Sequence, residues 1–392
     1  MTHETTTPPG PVRKPRSMRV LALTVTCLAA FAVGLVVERG LRSDEQTTAY
    51  RVVRAAPLPD SCQRGVDPSA AWPPACWRPY SPESPFNRPV PAGAPTAAGS
   101  RAAVARLASF GPPGRLVAGV HETAQDWSKP TYYASPGDPL FRVHCTRPWG
   151  HCGVEGAQLR IPERARPAAG GDGHMTVIDP DGRTEYDFWK VAAKPSGGGT
   201  LEVGWGGRTS LAGDGRGSAA VAAGFGNLAG LIRAPELEAG RIDHALFMTV
   251  HCTSGQAVYP AANGNLDGAC ASGRAEAPPL GARFVLDMSD AEIDALGVPP
   301  WKRAILTAMA HYGMFVGDTT GASWGIQVES DATYTSLGRK PLFETFARDN
   351  GFYEDRWPAA GNRTVWVGDL APDVDWQGKL RVVGECVSRG SC

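Results

Sequence analysis

Glycine and proline punctuate this chain so often that little of it can propagate a helix. With Gly 47 and Pro 34 among 392 residues, it suits many short strands joined by turns rather than a helical bundle. The segment Ser81–Pro91 shows the constraint most strongly. There Pro82, Pro85, Pro89 and Pro91 each bar the preceding residue from the α region, so the segment runs as an extended strap. The expected fold is mainly β: a twisted β-sandwich of the jelly-roll type, with a few short helices packed on one side.

Residues 171–189 read as a complete β-hairpin with two different faces. Asp179-Pro180-Asp181-Gly182 suits a type I turn, with Pro180 supplying the fixed φ and Gly182 the exit. That turn sets Thr176 opposite Glu185 and His174 opposite Asp187. Alternation then gives Met175, Val177, Tyr186 and Phe188 to one face, and His174, Thr176, Glu185, Asp187 and Trp189 to the other. The first face is core. The second gathers an imidazole, two carboxylates and an indole within cross-strand reach, as a sugar-handling cleft requires.

Charge and the N-terminus bound the rest. Lys+Arg and Asp+Glu are equal at 39 each, so no net basic field attracts nucleic acid. Residues 1–19 are polar, with Arg13, Lys14, Arg16 and Arg19 just before an uncharged, largely apolar run from Val20 to Val37. This reads as an export signal, and its length favours an uncleaved membrane anchor over a cleaved peptide, with the N-terminus in the cytoplasm. The expected organisation is a cytoplasmic tail at 1–19, an anchor or signal at 20–37, a stalk at 38–75 and an extracytoplasmic β-rich domain at 76–392.

Apart from Cys27 in the apolar run, eight cysteines remain. An even number outside the membrane indicates disulfides, and spacing favours neighbours: Cys62 with Cys76, Cys145 with Cys152, Cys252 with Cys270, and Cys386 with Cys392. A metal site at His144, Cys145, His151 and Cys152 is the rival. The absence of a Cys-x-x-Cys knuckle and the oxidising compartment weigh against it, and neither a metal nor a cofactor is expected.

Residues 100–109 form the first plausible helix, and Thr131–Ala134 and Leu140–Cys145 read as strands. Leu201–Gly207 is a strand running into a glycine loop, and Arg241–His251 is the strongest strand of all, with His244 on its apolar face. Ser289 and Glu292 form a capping box for a helix to Leu296. Pro299-Pro300 opens a second helix that Gly313 stops. Met314–Asp318 and Ser323–Glu329 then read as a second hairpin. Gly224–Gly230 superficially matches a dinucleotide loop but lacks the strand and helix such a loop needs. Gly321-Ala322-Ser323-Trp324-Gly325 likewise lacks the strand-to-helix setting of a nucleophile elbow.

Several stretches resemble a group of exported actinobacterial proteins with no assigned activity: Ser84–Asn87, His174-Met175 with Tyr186–Trp189, Gly230–Arg233, Gly240–Leu246 and His311–Gly313. The resemblance covers residues 80–335 and implies export and a single β-rich domain. A more distant, architectural likeness is to jelly-roll glycoside hydrolases and polysaccharide lyases.

The expected function is cleavage of an extracellular or cell-wall polysaccharide by acid/base chemistry. Asp187 would be general acid or base, His174 would orient it, and Trp189 and Trp205 would stack on sugar. The second carboxylate is open among Glu185, Glu236, Asp318 and Glu329. A lyase would instead use His244 or Tyr312 as base, with Arg233 or Gln327 against a uronate. A non-catalytic glycan-binding protein would show a shallow aromatic strip without a carboxylate at its floor.

Overall fold

The computed structural model describes residues 73–120, 125–192, 194–218, 220–358 and 361–392. The expected tail, the apolar run, Cys62 and most of the stalk lie outside the described residues. Within them the protein is mainly β, with strands in four sheets and a few short helices.

The first sheet has the order β2-β5-β6-β8, from Thr131–Tyr133, Met175–Asp179, Thr184–Trp189 and Trp205–Ser210. The second, β4-β3-β7, is built from Gln158–Arg160, Leu140–Cys145 and Gly199–Val203. The two share one apolar core, to which Met175, Val177 and Phe188 contribute from the first sheet and Phe141, Val143, Leu201 and Val203 from the second. Each such side chain, fully buried, contributes about 1.5–3 kcal/mol.

A larger core surrounds the third sheet, β12-β9-β11-β10-β15, formed by Gly325–Ile326, Leu246–Val250, Met314–Thr319, Arg283–Leu286 and Leu380–Val382. The helix Pro300–His311 buries Trp301, Ile305 and Met309 in the same core. The fourth sheet is β1-β14-β13, at Leu116–Ala118, Arg363–Gly368 and Tyr353–Trp357.

The central hairpin forms, but in a shifted register. Thr176 pairs with Asp187 and Ile178 with Glu185, because Asp179 and Thr184 close the ladder and residues 180–183 make the turn. Asp179 accepts hydrogen bonds from the Asp181 and Gly182 amides, both at 3.1 Å. This side-chain cap fixes the longer connection. A slip of two residues preserves the period-two alternation, so Met175, Val177 and Phe188 still face the core.

Two other expectations are corrected. The supposed hairpin at 314–329 is split, because β9 lies between β11 and β12, parallel to the first and antiparallel to the second. Leu246–Val250 is apolar on both faces and takes the interior position. The strand expected at 241–251 is only 246–250: Ala245 N donates to Phe86 O at 2.7 Å, so the approach to the strand is tied to the proline strap instead.

The capping box of Ser289 and Glu292 is present, as is the helix at Ser100–Ala108. Cys145–Cys152, Cys252–Cys270 and Cys386–Cys392 are bridged, as their spacing predicts. These three bridges fit an oxidising, extracytoplasmic setting. Among the described residues no helix is long and apolar enough to cross a membrane.

Candidate functional site

The polar face of the central hairpin is buried. Glu185 and Asp187 are both 0% exposed. Thr176 Oγ1 donates to Asp187 Oδ1 at 2.8 Å, Asn227 N donates to Asp187 Oδ2 at 3.2 Å, and Asn227 Nδ2 donates to Thr176 Oγ1 at 2.9 Å. Glu185 accepts from Tyr80 Oη at 2.6 Å and from Leu228 N at 2.9 Å. The loop at 225–228 reaches the carboxylates because Gly226 has no side chain: a Cβ there would lie 2.3 Å from Tyr80 Oη and 2.7 Å from Glu185 Oε2. Of the glycines that mimic a dinucleotide loop, Gly226 thus serves close packing on Glu185 and Tyr80.

Burial pushes the Glu185 carboxyl well up, and the neighbouring Asp187 charge pushes it further. Both effects disfavour its charged form. Lys129 faces the same cluster. Burial brings its ammonium down to about 8 against the attraction of Asp318, Asp187 and Glu185. Its Nζ sits 3.9 Å from the Phe247 ring centroid and has no hydrogen-bond partner. Asp318, on β11, is raised by burial and accepts from the Thr319 and Ala222 amides at 2.8 and 3.3 Å. Two of the expected catalytic residues, Asp187 and Asp318, thus act on one lysine that the sequence did not single out, and that lysine acts in turn on a third, His174.

His174 gives this cluster a measurable signature. Burial lowers its imidazole to about 4, and the Lys129 charge adds to the effect. The unfolded value is ~6.5, so the unfolded chain takes up a proton that the folded chain refuses. The contribution is full above pH ~6.5 and is lost as pH falls towards about 4. Glu329, raised to about 7 mainly by burial, acts in the opposite sense, its contribution being lost as pH rises through about 7. Because Glu329 is common to wild type and His174→Gln, it cancels between them. Urea denaturation at pH 7 and pH 5 should show wild type losing roughly 1–2 kcal/mol more than His174→Gln. Equal losses would remove His174 from the account.

The aromatic groups form a separate feature, graded from buried Trp205 through half-buried Trp189 to exposed Trp149. Trp149 is 60% exposed and stacks on Trp189 at 5.4 Å with an interplanar angle of 26°; Trp205 lies 5.7 Å from Trp149. Arg147 stands 5.8 Å from the rings of both Trp149 and Trp189, and Lys190 Nζ stands 4.6 Å from the Trp189 ring. Trp189 Nε1 donates to Asp172 Oδ1 at 3.2 Å, which fixes the indole. The Cys145–Cys152 bridge closes the loop carrying Arg147 and Trp149, and the Arg147 amide donates to Gly204 O at 3.2 Å. Gly204 lets the indole lie against the backbone, since a Cβ there would meet Trp189 at 3.1 Å and Lys190 Cβ at 2.8 Å.

The remaining expected residues have other partners. Arg233 and His244 meet at Glu236 Oε1, each at 3.1 Å. Arg233 also donates to the carbonyls of Pro73, Pro74, Ala75 and Trp77, so it clasps the start of the described chain. Tyr312 lines a polar groove of about 370 Å³ with Arg241, Asp243, Asp290 and His311. No hydrogen bond links it to Arg233 or His244. Glu329 accepts from Tyr334 Oη at 2.6 Å, and the Gln327 backbone N donates to Phe247 O at 3.2 Å. Among the described residues no group of three or more His, Cys, Asp or Glu is placed to hold a metal ion.

Sequence reasoning passed over Lys129, Asn227, Tyr80, Arg147 and Trp149. The last two carried a signal: an Arg-Pro-Trp-Gly stretch inside a short cysteine loop is a rigid display of an aromatic. Compared with known proteins, the chain matches no family model, no curated protein and no solved structure.

Proposed function

We propose that this protein is an extracytoplasmic glycan-binding protein whose contact surface is Trp149 with the half-buried Trp189, backed by the buried Trp205. The observation that carries this reading is Trp149, a large indole exposed to solvent yet held by stacking and by a disulfide-closed loop. A preorganised aromatic surface loses little side-chain entropy when a sugar face settles on it. Arg147 and Lys190 at its edge favour an acidic glycan, such as one bearing uronate or phosphate groups.

Binding is favoured over cleavage because the carboxylates that would do acid/base work, Asp187 and Glu185, have no exposed surface and are occupied by internal hydrogen bonds. A membrane anchor at residues 20–37 belongs to the same proposal and would hold the surface close to a cell wall. The jelly-roll assignment belongs here too. Its support is the pair of sheets sharing the Phe141 and Phe188 core, although the β2/β5 and β3/β7 pairings are parallel where a jelly roll is antiparallel.

The test is retention of full-length protein on a panel of neutral and acidic wall and plant glycans, with product analysis alongside. Retention without products is the expected result. Trp149→Ala should weaken it about fivefold, in line with ~1 kcal/mol for a lost aromatic contact, while leaving stability within ~0.5 kcal/mol. New reducing ends would move the reading to a hydrolase, an unsaturated product to a lyase. Unchanged retention in Trp149→Ala would remove the platform.

A further inference from the structure

We propose that the cavity between the helix Ser100–Ala108 and residues 382–388 binds a small organic carboxylate with an apolar body. The cavity has a volume of about 230 Å³, and its apolar wall includes Ala97, Ala103, Val258, Ala282 and Val382. Arg283 also lines it. This side chain is 1% exposed. Its Nε donates to Tyr312 O at 2.8 Å and its Nη2 to Arg88 O at 2.6 Å, while Nη1 has no partner.

No carboxylate pairs with Arg283 among the described residues. The neighbour that acts on it is Arg88, a second buried cation, which donates to the Ser388 carbonyl and leaves its own Nε without a partner. Two adjacent guanidinium groups held away from water, neither in an ion pair among the described residues, are costly for a fold to keep. An anion supplied from outside removes much of that cost. A carboxylate matches a guanidinium edge in shape and charge.

The other polar groups around the cavity fit this assignment. Ser100 Oγ accepts from Val382 N at 2.8 Å, which leaves its hydroxyl proton to donate. Of the two acids that line the cavity, Glu385 accepts from Arg389 and from Tyr259 N, and Glu276 is exposed. Neither neutralises Arg283. The small apolar wall residues leave room for a short alkyl or aryl body, which a strongly hydrated inorganic anion would not use.

Isothermal calorimetry of the full-length protein with hexanoate, and with hexanamide as its uncharged counterpart, tests the proposal. Hexanoate should bind saturably, and hexanamide ~10-fold or more weakly, as expected for loss of a charge-assisted hydrogen bond. Ala103→Phe, at a partly exposed helical position on the wall, should fill the space and abolish hexanoate binding without unfolding the chain. Three results would each overturn it: no hexanoate binding at millimolar concentration, equal binding of the amide, or undiminished binding by folded Ala103→Phe. The outcome is independent of whether the tryptophan surface binds glycans.

Discussion

Asp187→Ala should cost the protein about 3–5 kcal/mol, measured as a fall in unfolding free energy in urea. Its carboxylate is completely buried and accepts from Thr176 Oγ1 and Asn227 N. Truncation leaves those donors without an acceptor in a dry interior, and each orphaned group costs about 1–3 kcal/mol. It also takes an anion from beside Lys129, which already lacks a hydrogen-bond partner. Asp318 stays beside this lysine, so its charge is less well compensated rather than stranded, which adds to the loss. Asp187→Asn should cost less, because the shape and one acceptor oxygen remain. Glycan retention by the folded fraction of either variant should be unchanged. A loss below ~1 kcal/mol for Asp187→Ala would mean that the cluster opens to water, and would restore Asp187 as a candidate acid or base.

Arg233→Met should be comparably severe, again about 3–5 kcal/mol. Burial works against ionisation of Glu236, and it is the charges of Arg233 and His244 that hold this carboxyl below its usual range. Without Arg233, Glu236 keeps only the imidazole as a side-chain partner, and the carbonyls of residues 73–77 lose their shared donor. The double variant Arg233→Met/Glu236→Gln discriminates between causes. If the stranded charge dominates, the second change should recover a large share of the loss. If the clasp on residues 73–77 dominates, the double variant should be no better than the single one.

The chain disclosed its local patterns and concealed its depths. Alternation along 174–188 was enough to assign the faces of the central hairpin, because side-chain period is a property of the strand itself. The register was not legible, since it depended on how Asp179 caps the turn. His174, Asp187 and Asp318 could be picked out as residue types capable of chemistry. Lys129, which faces all three, could not, because it sits in a Trp-Ser-Lys-Pro stretch that reads as surface loop. Full burial of a lysine is a tertiary fact. The near-neighbour cysteine pairs were legible because a short closed loop needs no knowledge of the fold. Apart from the Cys386–Cys392 pair, residues 335–392 gave no usable pattern: Tyr353–Trp357 is almost wholly exposed, so no apolar alternation marks it as a strand.

The way the sheets are threaded also governs when the protein can exist at all. Leu116–Ala118 pairs with residues 366–368, Arg283–Leu286 borders Leu380–Val382, and Thr96 bridges to Val383. Earlier parts of the domain are thus completed by residues 366–383. A ribosome delivering the N-terminal end first hands over a chain in which Thr96 and Leu116–Ala118 have no mates until residues 366–383 have been made. Contacts so distant in sequence make for slow folding and prolonged exposure of unpaired backbone. A chain interrupted before residue 366 therefore leaves the backbone of Leu116–Ala118 and of Thr96 without the partners that complete their ladders.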